Sequence, residues 1–269
     1  MPDLTAAAAR PPRGILTQPE FEQYGAEWLR VVSGPDAAEL QQSFRPAAAA
    51  AAGADAAKAA PLLCSVSFPT KQMARLVSTV GATHIKARFG IRPGAANGAG
   101  PQFTLALFAT NALEARVSSY YLADEAPLPG ADGPDPADEV QLLDEVPDGL
   151  AHFWVRNWAR TFRAAPVTAD MFATPYGPLQ GYTFEVTDFI STLWPVTDFD
   201  QEDVRLRVRF GLHEFYQPQP DGTDRLVHTF GLVLQLWPPT QVDEDGEPVV
   251  EDPFYDFSMP NPPGSIGGN

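Results

Sequence analysis

The stretch that decides the fold is VRLRVRFGL, residues 204–212, because its pattern occurs a second time as THIKARFGI at residues 83–91. Another pair follows at nearly the same spacing, with FTLAL at 103–107 and FGLVL at 230–234. Chance readily produces one such match, but not two in the same order. The pattern therefore indicates an internal tandem duplication, and we expect the same structural unit twice.

Weaker matches extend the duplication over nearly the whole chain. They pair residues 27–30 with 157–160, residues 68–77 with 184–194 after one inserted residue, and residues 120–121 with 254–255. We therefore predict three parts, which are a first unit at 1–130 with an alanine-rich insertion at 47–60, an acidic proline-rich linker at 131–146, and a second unit at 147–269 ending in an acidic proline-rich tail.

Strict alternation of apolar and polar residues marks 204–212 as a half-buried strand, since successive side chains of a strand point to opposite faces. Phe210 and its counterpart Phe89 fall on the inward face. The outward positions are Arg205, Arg207, Arg209 and Gly211 in the second copy, and His84, Lys86 and Arg88 in the first. We expect both phenylalanines to be buried and the basic residues to lie on the outward faces of the two equivalent strands.

Each unit opens with an amphipathic helix that directs aromatic residues, Trp28 in the first copy and Trp158 in the second, toward the core. Thr17 and Glu20 have the spacing of a capping box before the first of these helices.

A short strand and a short helix come next in each copy. The predicted N-caps of the short helices are Thr70 and Thr187. The residues predicted to face inward are Met73, Leu76 and Val77 in one helix, and Ile190, Leu193 and Trp194 in the other. The unit is thus helix, strand, helix, strand, strand, so the class is α+β with mostly antiparallel sheets. We expect the two units to pack as a pseudo-twofold dimer.

The order of these elements, with SVSF before the short helix, a strand ending in Phe-Gly and an FTLAL strand, resembles small uncharacterised bacterial proteins that carry the unit once. The resemblance covers each half and implies no known activity. This chain differs from that pattern by its duplication and by the absence of cysteines from the proline-rich tail.

Composition narrows the classes of partner. The chain has 269 residues and a net charge of -16, so its field repels nucleic acid and anionic membrane surfaces. The N-terminal sequence has no apolar segment typical of a signal peptide, and we expect a cytoplasmic protein. The single cysteine, Cys64, lies at the start of a predicted strand, and we expect it to be a buried, inert thiol.

Motifs of catalysis and cofactor binding are missing from the sequence. There is no G-x-S-x-G, H-E-x-x-H, Walker A or paired C-x-x-C pattern, and the four histidines have no ligand spacing. Neither a carboxylate nor a histidine is shared between the two copies. The sequence therefore favours a protein without catalytic residues, metal or cofactor.

The one distinctive set of polar residues is basic. It holds five of the 18 lysines and arginines in a strongly acidic chain, namely Lys86, Arg88, Arg205, Arg207 and Arg209. They could form a solvated face with cross-strand ion pairs. They could also bind carboxylates, from the acidic stretches 132–148 and 243–256 or from a neighbouring subunit, because a guanidinium matches a carboxylate bidentately. A small anionic metabolite is a third possible ligand.

Two functions follow as hypotheses. The first is a non-catalytic interaction or assembly protein that binds a protein partner or itself. The alternative is an enzyme, or a protein that binds a small anionic ligand, with its site between the two repeats. A seam filled with Phe and Trp would favour the first, and a pocket with converging polar side chains would favour the second.

Overall fold

The computed structural model describes residues 12–46, 62–94, 100–125, 148–164, 166–218, 221–237 and 259–260. The predicted insertion at 47–60, the linker at 131–146 and nearly all of the tail lie outside the described residues.

Five α-helices and one 3₁₀ helix occur in the described part of the chain. They are α1 (Gln18–Val32), α2 (Ala37–Ser43), α3 (Thr70–Val77), α4 (Asp148–Ala164), the 3₁₀ helix (Ala169–Phe172) and α5 (Val186–Leu193). The capping box predicted for α1 is confirmed, because Thr17 and Glu20 satisfy each other's backbone N–H groups. None of the described helices has the length and apolar character needed to cross a membrane.

The strands form two main antiparallel sheets and a small one. The strands are β1 (Ile15–Leu16), β2 (Ser65–Pro69), β3 (His84–Arg92), β4 (Gln102–Thr110), β5 (Tyr120–Leu122), β6 (Asp124–Glu125), β7 (Ala173–Thr174), β8 (Gly177–Pro178), β9 (Gly181–Glu185), β10 (Arg205–Pro218), β11 (Asp224–Trp237) and β12 (Met259–Pro260). The first sheet has the order β1-β5-β4-β3-β9-β12, the second has the order β11-β10-β2-β6, and β7 pairs with β8. The α+β class with antiparallel sheets is therefore confirmed.

Both main sheets combine strands from the two sides of the 131–146 segment. In the second sheet, β2 pairs with β10, and Phe68 lies opposite Leu206. In the first sheet, β9 pairs with β3, and Phe184 lies opposite Ile85. Each hairpin thus receives its third strand from the other half of the sequence.

Aromatic rings fill the space between the sheets. Trp28 and Trp158 are both completely buried. The Trp28 indole N–H donates to the Leu179 carbonyl at 2.8 Å, and the Trp158 indole N–H donates to the Leu63 carbonyl at 3.0 Å. Each tryptophan therefore satisfies its buried donor on a carbonyl from the opposite half, as buried polar groups require.

The two hairpins differ in length. β3 and β4 have 9 residues each, whereas β10 and β11 have 14 each. The additional residues lie at the turn end, where the side chains of Phe215, Tyr216 and Leu226 are 47%, 69% and 45% exposed. The sequence pattern predicted the strands but not this extension beyond the core.

The inward face predicted for α3 is confirmed, since Met73 and Leu76 are fully buried, but the predicted caps of both short helices and the inward face of α5 need correction. Pro69 and Glu185 occupy the cap positions, so Thr70 is the first residue of α3 and Thr187 lies within α5. No residue is inserted in α5, which shifts its buried stripe to Phe189, Thr192 and Leu193. Ile190 and Trp194, both predicted to face inward, are consequently 41% and 83% exposed.

Candidate binding surface on the outer sheet faces

The predicted strand register places all five basic residues on outer sheet faces. Phe89 of β3 and Phe210 of β10 are fully buried, as expected. The intervening side chains point away from this core, so Lys86 and Arg88 lie on the outer face of the first sheet. Arg205, Arg207 and Arg209 lie on that of the second.

Helices cover much of these outer faces. At Gly90 of β3, an added Cβ would lie 3.0 Å from Tyr24 Cβ of α1, and at Gly211 of β10 it would lie 3.0 Å from Trp154 Cβ of α4. Glycine at these outward positions allows each helix to approach the strand closely. Lys86 and Arg207 are only 2% and 6% exposed, so a solvated face does not describe them.

Lys86 has a carboxylate partner. Its ammonium forms an ion pair with Glu114, which lies in the turn after β4 and adopts a φ of 62°. The Asn111 side-chain oxygen organises this turn by accepting hydrogen bonds from the Leu113 and Ala115 N–H groups, both at 3.0 Å. The buried lysine is thus neutralised by a loop that follows the second strand of its own hairpin.

Arg88 lies beneath α1. Its guanidinium carbon is 6.0 Å from the centroid of the Phe21 ring, and a Cβ added at Gly25 would lie 3.1 Å from Nε. Burial lowers the pKa of Arg88 to about 10. Within the described residues Arg88 has no carboxylate partner, and its buried Nε lacks a hydrogen-bond acceptor.

Replacing Arg88 with Met should therefore leave the free energy of unfolding within about 1 kcal/mol of wild type, or raise it, because a desolvated charge is removed while the stem volume is kept. Urea unfolding of the Arg88→Met variant measures this. Arg88→Ala is the control, and it should be less stable than Arg88→Met because it also loses the packing of the stem. A large loss of stability in the Arg88→Met variant would contradict the inference that the buried charge of Arg88 destabilises the folded state.

Arg205 binds at the edge of the second sheet. Its Nε donates to Ser67 Oγ at 2.9 Å, and its Nη2 donates to Asp124 of β6 at 2.6 Å. The side chains of Arg205 and Asp124 are 27% and 46% exposed, so this ion pair is partly screened by water. The arrangement links β10 to β6 across the intervening strand β2.

Arg207 has a different environment. Its guanidinium carbon lies 4.1 Å from the centroid of the Trp237 ring, which is a cation–π contact. Burial, and then the positive charge of Arg209, lower its pKa to about 10. Among the described residues, Arg207 has no carboxylate partner, although it is nearly as buried as Lys86.

Carboxylate partners were one of three alternatives for these basic residues, and the carboxylates expected were those of the acidic stretches or of a neighbouring subunit. The observed partners, Glu114 and Asp124, come from the segment between β4 and residue 126, just before the predicted acidic linker. The acidic stretches 132–148 and 243–256 lie, apart from residue 148, outside the described residues. Asp124 could have been suspected, because the acidic pair Asp124–Glu125 follows the strand Tyr120–Leu122 after a single residue.

The cavities contain polar groups that are already engaged. A cavity of about 490 Å³ is bordered by the ion pairs Lys71–Asp200 and Arg205–Asp124. Another cavity, of about 540 Å³, lies beside the turn end of the β10–β11 hairpin, which includes Phe215, Tyr216 and Leu226 and which we call the hairpin extension. There His228 Nε2 is 3.0 Å from Glu214. In the described part of the chain, no group of three or more His, Cys, Asp or Glu residues could hold a metal ion.

Cys64 is the other potentially reactive group. It lies between Leu63 and the start of β2, and its Sγ donates to the Leu62 carbonyl at 3.3 Å. Burial raises the pKa of the Cys64 thiol, which the nearby Arg209 only partly offsets. A raised pKa reduces the thiolate fraction, so the geometry gives no sign of an activated nucleophile.

Comparison of the chain with protein-family models, with curated proteins and with solved structures finds no match.

Proposed function

We propose that the chain is a non-catalytic interaction or assembly protein, built from two tandem units that pack about a pseudo-twofold axis. Reciprocal features support the duplication. β2 lies against β10 as β9 lies against β3, and Trp28 and Trp158 each bind a carbonyl of the other half. In this interpretation the chain is a fused dimer whose units exchange one strand.

The aromatic seam between the halves favours interaction over catalysis. Trp28 is 5.0 Å from Phe172, and Phe103 is 6.0 Å from Phe230, measured between ring centroids. Phe44 adds a further ring, 5.2 Å from Trp158. Aromatic residues from both sides of the 131–146 segment thus fill the space between the two halves. The alternative hypothesis placed a catalytic or small anionic-ligand site in that space.

The main support for an interaction function is the hairpin extension, because its apolar side chains are exposed and do not pack on the core. Tyr216 lies opposite Leu226 and Phe215 lies opposite Val227, so both faces of the ribbon present apolar groups. Aromatic residues that are exposed in a group are typical of protein contact sites. The adjoining 540 Å³ cavity, bordered by Met171 of the 3₁₀ helix, can receive a side chain from a partner.

A protein surface is the partner that suits this extension. It combines apolar groups with a polar rim that includes the His228–Glu214 pair, as protein interfaces do. Nucleic acid is disfavoured by the net charge of -16.

The extension can be tested with the triple variant Phe215→Ser, Tyr216→Ser, Leu226→Ser. The proposal predicts that it loses the partner or the self-association of the wild-type chain while its thermal unfolding stays similar, because these residues lie outside the core. Sedimentation velocity over a concentration series detects self-association, and affinity capture from the native host, followed by mass spectrometry, detects a partner.

The matched control is the variant Val80→Ser, Leu113→Ser, which removes apolar side chains that are 93% and 86% exposed elsewhere. It should retain every interaction of the wild type. The proposal fails if the wild-type chain is monomeric and captures no specific protein, or if the triple variant keeps the same interactions.

A further inference from the structure

The edges of the two main sheets differ in length. An edge strand can pair with another chain, because its outer N–H and C=O groups have no neighbouring strand. Three of the four edges in the described part of the chain are strands of two residues, namely β1, β12 and β6. The fourth is β11, which has 14 residues and contains no proline. Because short strands protect an edge from pairing, β11 is the edge that suits a second chain.

The direction of the backbone groups along β11 follows from a contact on the far side of β10. The Phe210 N–H donates to the Cys64 carbonyl, just before β2, at 2.9 Å, so the backbone groups of Phe210 point away from β11. Those of Leu232, which lies opposite Phe210, consequently point away from β10. The direction alternates along a strand, and this hairpin has a continuous register, so every second residue before Leu232 also has outward backbone groups.

These residues of β11 are Phe230, His228, Leu226 and Asp224. The Phe230 carbonyl accepts a hydrogen bond from the Tyr182 hydroxyl, which occupies the edge at that point. At the other three positions, which lie in the hairpin extension, no group of the described residues bonds to the outward N–H and C=O groups. The cavity of about 540 Å³ borders residues 225–229, so there is free space beside the edge.

The opposite edge of the hairpin extension is protected. There β10 continues beyond the end of β2, and its outward residues include Glu214, Tyr216 and Pro218. Pro218 has no N–H to donate, and proline is typical of edge positions that do not pair. A symmetric pairing centred on Glu214 would oppose two carboxylates, and one centred on Tyr216 would place Pro218 opposite Glu214.

The β11 edge, by contrast, is self-complementary. Antiparallel strands pair about a twofold axis, so an edge strand can pair with a second copy of itself. With the axis at Leu226, the two Leu226 side chains lie opposite each other, Arg225 lies opposite Val227, and Asp224 lies opposite His228. No like charges are opposed in this register, and an acidic residue faces a basic one.

Other registers suit the strand less well. An axis at Asp224 would oppose two carboxylates, and an axis at His228 would require pairing by Phe230, whose carbonyl is bonded to Tyr182. Residues 224–229 contain one acidic and one basic residue and so have no formal net charge, whereas the chain has -16. Two copies therefore repel each other less at this strand than the charge of the whole chain implies.

We propose that two copies of this chain pair through the β11 edges of their hairpin extensions, antiparallel and centred on Leu226. The outward groups of Asp224, Leu226 and His228 then gain hydrogen-bond partners, and the second sheets of the two copies become one continuous sheet. The inference rests on the proposed interaction function, for which it names the partner and the mode of contact.

A disulfide at the twofold axis tests the pairing. Hydrogen-bonded antiparallel residues have Cα atoms about 5.5 Å apart, within the range that a disulfide spans. In the full-length Cys64→Ser chain, which has no other cysteine, Leu226→Cys should form a disulfide-linked dimer under mild oxidation. The control Val80→Cys alters a 93% exposed side chain elsewhere, and it should react at least about tenfold more slowly, because pairing raises the effective concentration of the thiols.

A mixture of two variants tests the register. Asp224→Cys and His228→Cys proteins, each in the Cys64→Ser chain, should form a heterodisulfide in preference to either homodimer. Mass spectrometry distinguishes the three products.

A proline variant tests whether the backbone makes the contact. Leu226→Pro removes an N–H that points away from β10, so the ladder within the hairpin is retained. Leu226→Val is the matched control, because it keeps both the N–H and an apolar side chain. Sedimentation velocity should show Leu226→Pro as a monomer at concentrations at which the wild type and Leu226→Val are dimers, while circular dichroism shows the same fold for all three.

Three results overturn the inference: equal rates for Leu226→Cys and Val80→Cys, homodimers as the main products of the mixture, or dimers of Leu226→Pro. If the wild type is monomeric but binds another protein through the hairpin extension, the proposed function stands and this inference fails. A monomeric wild type that captures no specific protein contradicts both.

Discussion

Replacing Phe210 with Ala is expected to lower the free energy of unfolding by about 3–5 kcal/mol, through lost transfer free energy and a cavity that its neighbours cannot fill. Phe210 is fully buried, and its ring centroid lies 5.3 Å from that of Phe230 and 5.4 Å from that of Phe103. These neighbours belong to both halves of the chain, so collapse around the cavity would disturb both sheets. Urea unfolding followed by circular dichroism measures the loss.

Phe89→Ala should cost a similar amount, because Phe89 is also fully buried and its ring lies 5.4 Å from Trp28. Phe215→Ala is the matched control on β10, since its ring is 47% exposed, and it should cost much less. If either core variant unfolded at the wild-type urea concentration, the packing of the aromatic seam described above would be wrong.

Burial along β10 was predictable because the alternation of side chains is local. At 204–212 every second residue is apolar, and this pattern alone places Leu206 and Phe210 on the inner face, where both are fully buried. The same alternation predicts Arg205 and Arg207 on the outer face. The choice of face needs no knowledge of the neighbouring strand.

The neighbour of each strand was not predictable in the same way. Strands are joined by backbone hydrogen bonds, which are nearly independent of side-chain type, so nothing in SVSFP specifies that β2 pairs with β10 and not with β3. The predicted inward face of the short helix α5 was wrong for a local reason. The alignment assumed one inserted residue, and a displacement of one residue rotates the predicted buried face by about 100°, from Ile190 and Trp194 to Phe189 and Thr192.

Two glycines in the sequence indicate that helices cover the basic residues, which the alternation of apolar and polar residues alone does not show. Gly90 and Gly211 follow Phe89 and Phe210 at outward positions, and glycine inside a strand is typical of close backbone approach. In the structure α1 and α4 approach at these two residues. Recognising that signal would have predicted half-buried cations that need partners instead of an open basic face.

The pairing of β9 with β3, which joins the two halves of the chain, can be tested most directly at Gly181. This residue lies opposite Arg88 in the β9–β3 ladder and has a φ of 150°, a region of backbone space open essentially only to glycine. A Cβ at this position would lie 1.9 Å from the Ala87 carbonyl oxygen. That oxygen belongs to the backbone of β3 and cannot move aside without breaking the ladder.

Gly181→Ala should therefore lower the free energy of unfolding by about 4 kcal/mol or more, because it adds backbone strain and also disrupts the pairing of β9 with β3. Gly149→Ala is the matched control, because Gly149 lies in α4 with no atom near an added Cβ. Alanine is favoured over glycine in a helix by about 1 kcal/mol, so this control should unfold at the same or a higher temperature. Equal melting temperatures for the two variants would mean that β9 does not lie against β3, and the first sheet would then belong to the first half alone.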